Sequence, residues 1–217
     1  MTEFRFENAC PEGCYVLCRP LGCSLETPFP VEFEQVAHAI EKRQREFLQT
    51  RNLARELMSL LGVPAQPILA GPDRAPRWPT GLVGSLTHND THGAVALARS
   101  GTLHSVGLDI ESRGRIEDRL WDHLFTHNEK LALRALPAEQ IQHEATAIFS
   151  IKEAFYKFQF PLTKSWVGFQ DVEVEKIASA QYQVIPINTN AALAKQSSAY
   201  TETLDNCVLS LVLSKAE

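Results

Sequence analysis

The sequence has no apolar run long enough to span a bilayer. The longest, around Cys207 to Leu213, falls far short of the roughly 20 residues a membrane helix needs. The N-terminus lacks a basic-then-apolar stretch and carries Glu3 and Glu7 instead, so no signal peptide is expected and the expected location is the cytoplasm. Positive charge is not in surplus: the formal net charge is −5, which argues against general affinity for nucleic acid or acidic membrane. Paired CxxC knuckles are also missing. Cys10, Cys14, Cys18 and Cys23 crowd together, but at three, three and four intervening residues with no His among them. That spacing does not match a zinc site, and reduced, partly buried thiols are preferred over a metal.

What is present describes an ordinary globular chain. Its 217 residues are 44% hydrophobic and 22% charged, enough for one domain or two small ones with a substantial core. One local feature departs from the acidic average. Between positions 42 and 77 lie Lys42, Arg43, Arg45, Arg51, Arg55, Arg74 and Arg77, against only Glu46, Glu56 and Asp73. Such a patch suits a small polyanion or an acidic partner, although on its own a solvated helix face is the better explanation.

The pattern of elements is helical segments followed by strands, twice over. Residues 13–21 read as a strand, and Pro30 opens a long helical region with stripes at Val36 and Ile40 and at Ala54, Leu57, Met58 and Leu61, ended by Gly62 and Pro64. After an irregular loop over 63–80, strands are expected at Leu82–Thr87, Ala94–Ala98 and Val106–Glu111, the first two joined by a turn at 89–92. Thr126 and Glu129 form a capping-box signature for a helix ending near Leu136. A longer helix is expected from Glu139 to Phe158, stopping before Pro161, with strands at 169–175, 181–187 and 207–214. Two similar α+β halves follow, divided as residues 1–104 and 105–217.

Chemistry concentrates at Asp109 and Glu111. Two apart in a strand, they project from one face while Leu108 and Ile110 face the other way. Adjacent carboxylates repel unless a proton or cation sits between them, and hard oxygen donors suit Mg²⁺. A solvated strand end beside Arg113 and Arg115 is the plain alternative. On the later helix, Ala147, Ile151, Ala154, Phe155 and Phe158 mark an apolar face, and Glu153 and Lys157 share the opposite one. A surface i,i+4 ion pair would account for that couple at about 0.3–0.5 kcal/mol.

Taken together, GLDIE at 107–111 and FSIKEAFYK at 149–157 resemble the two signature motifs of the 4′-phosphopantetheinyl transferases of the surfactin and enterobactin type. The segments at 45–57, 71–88 and 160–174 are similar to the enterobactin-synthase component-D branch. Thr50, Thr87 and Asn89 depart modestly from its usual residues. The resemblance implies a pseudo-dimer of two α+β halves with the active site in the cleft between them. It implies Mg²⁺ held by Asp109, Glu111 and Glu153, with Lys157 and Lys152 offsetting phosphate charge. Glu153, or a water on the metal, would take the proton from a serine. Arg51, Thr87 and His88 would line the 3′-phosphate and ribose of coenzyme A, Arg74 would sit near the adenine, and Arg43 would lie close by. Trp78 could flank the nucleotide or simply pack.

The implied reaction transfers the phosphopantetheine of coenzyme A to a serine of an apo acyl, peptidyl or aryl carrier protein, releasing 3′,5′-ADP. The implied setting is nonribosomal peptide or siderophore synthesis, by a monomer acting alone or within a synthase complex. Two alternatives use the same residues: a non-catalytic relative that binds carrier proteins or coenzyme A, and a Mg²⁺-dependent phosphohydrolase.

Overall fold

A computed structural model describes residues 4–188 and 191–216, and the side chains of 191 and 192 are outside the description. The chain is a mixed α+β protein with two sheets. It divides into two compact units, Met1–Val106 with Lys215–Glu217, and Gly107–Ser214. Among the described residues no helix is long and apolar enough to cross a membrane.

In the first unit β1 (Cys14–Pro20) precedes α1 (Pro30–Glu34) and α2 (Glu41–Leu60), and β2 (Leu82–His88) and β3 (His92–Arg99) follow. The three strands form one antiparallel sheet in the order β1-β3-β2. The β2–β3 turn forms where expected, because Asn89 Oδ1 accepts from the Thr91 amide at 3.0 Å and the His92 amide at 2.8 Å, closing an Asx turn. Ala54, Leu57 and Met58 of α2 are fully buried against Leu17, Val95 and Leu97 of the sheet.

The long helical region expected from Pro30 is broken between 35 and 40. Ile40 is extended, at ψ 149°, and α2 starts after it. Side chains brace the break: Gln44 bonds its carbonyls, while Gln35 and Glu32 tie the preceding turn to the backbone of residues 68–70. Gln44 Nε2 donates to the Val36 and Ala37 carbonyls at 3.2 and 3.1 Å, and Gln35 bonds both backbone groups of Ala70. Glu32, fully buried, pairs with Arg55 at 2.7 Å and accepts the Ile68 amide at 2.8 Å.

β4 (Leu103–Ser112) runs through the division at 106/107 and belongs to the second sheet. A short α3 (Trp121–Leu124) precedes α4 (His127–Arg134), which carries the expected capping box. Next come α5 (Ala138–Thr163), β5 (Val172–Ala178), β6 (Gln181–Pro186), α6 (Ala191–Gln196), β7 (Ser198–Leu204) and β8 (Cys207–Lys215). The sheet order is β4-β8-β7-β6-β5. Sequence patterning missed α6 and β7. The strand SAYTETL is too polar to stand out, although its alternate residues Ala199 and Thr201 are buried.

The apolar face of α5 is as expected: Ala147, Ile151, Ala154, Phe155 and Phe158 are all at most 1% exposed. The helix does not stop before Pro161. Proline has a helical φ and costs only the one bond to the carbonyl four residues back, which is tolerable so near the end. Tyr156 packs on Phe160 and Trp166 with ring centroids 5.5 and 5.2 Å away, and Lys164 closes the helix in the left-handed region at φ 54°.

Candidate active site

In the second unit, β4 and α5 carry the carboxylates. Gly107 lets them approach: a Cβ built there would lie 1.9 Å from the Ala154 carbonyl oxygen and 2.6 Å from the Phe158 nitrogen. Two residues on, Asp109 is 4% exposed and is held from α5 at two points. Lys157 Nζ donates to its Oδ1 at 2.7 Å and Ser150 Oγ to its Oδ2 at 3.0 Å. Lys157 also reaches the Leu108 carbonyl at 3.1 Å. Ser150, Glu153 and Lys157 recur at three and four residues, a single helix face. That spacing was the signal that could have added Ser150 to the candidates.

Glu111 lies further along the same strand face. Burial, then the charge of Asp109, pushes its carboxyl up to about 7, with Glu153 adding to the rise and Arg115 and Lys157 opposing it. Arg115 Nη1 donates to Glu111 Oε2 at 3.2 Å. Burial, then Asp109, likewise raises Glu153. Asp109 and Glu153 thus act on Glu111, and Asp109 acts on Glu153, through like-charge repulsion. Their all-oxygen chemistry suits a hard divalent cation, whose charge would relieve that repulsion. Among the described residues no three His, Cys, Asp or Glu side chains stand arranged to hold a metal ion, and two of these carboxylates are already paired with cations.

Lys152 is placed elsewhere. It is 3% exposed and donates to Glu129 Oε2 at 2.7 Å and to the Leu124 and Phe169 carbonyls at 3.1 and 2.6 Å. Glu129 in turn accepts the Thr126 and Val174 amides at 2.8 and 2.7 Å. Burial lowers the Lys152 ammonium and raises the Glu129 carboxyl, each partner's charge opposing the shift of the other. Lys152, expected to offset phosphate charge, has its Nζ turned inward onto Glu129 of α4 and the carbonyls of Leu124 and Phe169. The capping-box role of Glu129 was legible; its buried ion pair was not.

The first unit holds the remaining candidates. Arg43 Nη1 lies 2.5 Å from His88 Nε2. A guanidinium only donates, so Nε2 accepts, and the hydrogen on Nδ1 faces Glu46 Oε2 at 3.6 Å. Thr87 is buried in β2, and Arg74 is exposed on the 71–77 loop with φ 64°. Arg51, expected at the 3′-phosphate, is turned into the fold. It is 5% exposed, donates to the Ile68 and Phe47 carbonyls at 2.7 and 3.0 Å, and lies 3.1 Å over the Phe47 ring. Burial lowers its pKa, with the charge of Glu32 opposing. Arg51 clips the Ile68 loop to α2. Arg55 is buried with Glu32, so the basic stretch is only partly a surface patch. Trp78 packs: its Nε1 donates to the Gly84 carbonyl at 2.9 Å, and Gly84 has no space for a Cβ beneath it. All five cysteines are thiols. Cys14 and Cys18 pair with Ala98 and Ala94 along β1, four residues and so about 13 Å apart.

Two family models match this chain. The 4′-phosphopantetheinyl transferase N-terminal domain matches residues 32–98, and the 4′-phosphopantetheinyl transferase superfamily matches 105–212. The 4′-phosphopantetheinyl transferase PptT of Mycobacterium tuberculosis is 38% identical over 149 residues, covering 68% of this chain and 65% of that one. The chain thus spans just under two thirds of that relative's length. Enterobactin synthase component D of Salmonella typhimurium is 28% identical over 185 residues, covering 82% and 75%. A solved holo-(acyl-carrier-protein) synthase from Bacillus anthracis, in complex with CoA (3′,5′-ADP), aligns at 18% identity and a TM-score of 0.42 over 54% of this chain and 99% of that one. With the two models matching in order along the chain, the first over the α2–β3 unit and the second over β4, α5 and the carboxylates, this chain belongs to the 4′-phosphopantetheinyl transferase superfamily.

Proposed function

We propose that the protein transfers the 4′-phosphopantetheine arm of coenzyme A to a serine of an apo carrier protein. The observation that supports this most is the grip of α5 on Asp109, through Lys157 and Ser150, beside Glu111 and Glu153, both raised by burial and by the charge of Asp109. In the reaction, the serine oxygen forms a bond to the β-phosphorus of coenzyme A. The bond from that phosphorus to the oxygen of the departing nucleotide breaks, and 3′,5′-ADP leaves. The protein need only align the two partners and offset charge on the phosphate oxygens.

Asp109, Glu111 and Glu153 would hold Mg²⁺, which supplies Lewis-acid stabilisation of the pyrophosphate when bound. Lys157 supplies a fixed positive charge at the same group of carboxylates. Glu153 is our assignment for the group that takes the serine proton. Arg43 and His88 are our assignment for the 3′-phosphate end of coenzyme A, with Thr87 on the ribose side and Arg74 toward the adenine. The likeness to a siderophore-synthase component makes aryl and peptidyl carriers the first to try.

The test is intact-mass measurement of a panel of apo carriers incubated with coenzyme A and Mg²⁺. The expected result is one added phosphopantetheine group, with 3′,5′-ADP formed only when a carrier is present. Release of 3′,5′-ADP without any carrier would identify a phosphohydrolase instead. No mass gain on any carrier would leave only a binding role.

A further inference from the structure

Both carboxylates on β4 already have a cation of the protein's own. Lys157 is 2.7 Å from Asp109, and Arg115 is 3.2 Å from Glu111. The two pairs differ in kind. Asp109 is nearly enclosed, and its bond to Lys157 has the short length of a charge-assisted contact. Arg115 is attached loosely: its side chain is 67% exposed and its contact is well beyond the usual 2.7–2.9 Å. Gly114, at φ 80°, makes the left-handed turn that brings Arg115 back over the end of β4. The family resemblance assigns Arg115 no role, and the transfer chemistry set out above does not use it.

Building on the proposed function, we infer that Arg115 is an exchangeable counter-ion. It neutralises Glu111 while no metal is bound, and it moves to a phosphate oxygen of coenzyme A when Glu111 turns to the metal. The physical requirement is charge balance in a partly buried site. Glu111 cannot hold a guanidinium and a divalent cation with the same lone pairs. A displaced guanidinium four residues along the chain finds its best new partner in a substrate pyrophosphate, which Arg contacts well. Two consequences follow. Metal alone must compete with Arg115, and coenzyme A removes the competitor. Metal and coenzyme A therefore tighten each other's binding, by the same factor in both directions.

The test uses Mn²⁺, an oxygen-seeking divalent ion whose free form is counted by its EPR signal, without turnover. Dissociation constants for Mn²⁺ are measured with and without saturating coenzyme A, in the wild-type protein and in Arg115→Ala and Arg115→Lys. The wild type is expected to bind Mn²⁺ about tenfold more tightly with coenzyme A present. Arg115→Ala is expected to bind Mn²⁺ alone about two- to fivefold more tightly than wild type, the equilibrium factor of an exposed ion pair. Its gain from coenzyme A should shrink by at least that factor, and Arg115→Lys should lie between the two. A surface pair with no part in binding would leave every constant unchanged, and that result overturns the inference. Weaker Mn²⁺ binding by Arg115→Ala alone would overturn it too, because Arg115 would then be supporting Glu111. If the wild type binds no Mn²⁺, or if Glu153→Gln binds it as well as wild type does, the metal assignment under the proposed function fails along with the inference.

Discussion

Gly107 and Ala154 touch backbone to backbone: no side chain fits between them, since a Cβ on Gly107 would stand 1.9 Å from the Ala154 carbonyl oxygen. That contact sets how closely β4 lies on α5, and hence how far Lys157 must reach to bond Asp109. Gly107→Ala has no flexible neighbour to push aside. It is expected to destabilise the protein by at least about 1–3 kcal/mol, the range for an overpacked core. Activity should fall by more than the folded fraction does, because Asp109 and Glu111 move with the strand. Urea melts and kcat/KM on the folded fraction measure both. Wild-type stability in this variant would contradict the close approach.

Lys152 and Glu129 form an ion pair with both side chains 1% exposed. Removing one partner leaves a buried charge unpaired, so Lys152→Met should cost about 3–5 kcal/mol. Replacing both, with Lys152→Met and Glu129→Gln together, should cost clearly less than the sum of the single changes. A double-mutant cycle by chemical denaturation makes the comparison. Residual transfer by the double variant would support a structural role for Lys152. Simple additivity would instead return the residue to the candidates for phosphate binding.

Glu111 makes the metal-free protein pH-sensitive in a definite direction. Its carboxyl is raised from 4.5 to about 7, so between those values the folded protein keeps a proton that the unfolded chain has lost. The folded state binds more protons there, and stability falls as pH rises through the window. Glu153, also raised, adds to the same trend. Between pH 5 and pH 7.5 the Glu111 contribution should be on the order of 1–2 kcal/mol, less than the full shift because the site is partly open to solvent. Denaturation of wild type and Glu111→Gln across that range, in chelator, isolates it. Added Mg²⁺ at pH 8 should raise the wild-type melting temperature and leave Glu111→Gln nearly unmoved. Identical pH slopes in the two proteins would refute the assignment.

Arg51 and the Arg43–His88 pair should separate in substrate assays. Arg51→Ala strips donors from two backbone carbonyls, of Phe47 and Ile68, and should cost about 1–3 kcal/mol of stability. Its effect on KM should be the same for coenzyme A and for 3′-dephospho-coenzyme A. His88→Ala and Arg43→Ala should barely alter stability. Each should raise KM for coenzyme A about tenfold or more, and for the dephospho substrate much less. The reverse pattern would make Arg51 the phosphate ligand after all.

Local patterns carried much of this reading. The apolar face of α5 follows from residues three and four apart, and each is buried as the spacing requires. The capping box of α4 is visible in two residues, and the β2–β3 turn in four. Where local pattern failed, a distant group had intervened. Gln44, Gln35 and Glu32 hold the break in the helical region after Pro30 by bonds to residues up to 36 positions away. Pro161 instead sits within α5 because it lies two residues from the helix end, where the one bond it forgoes costs little.

The same distinction divides the candidate site. Strand alternation alone put Asp109 and Glu111 on one face, and helix periodicity alone put Glu153 and Lys157 on another, because backbone geometry fixes where each Cβ points. Which charges meet was decided by the tertiary structure. Lys157 bonds Asp109, 48 positions away; Lys152 bonds Glu129, 23 away; and Arg51 bonds the carbonyl of Ile68, 17 away. A long cationic side chain can reach many partners, and its choice depends on which of them burial has deprived of water. That depends on how strand and helix pack, and no spacing along the chain records it.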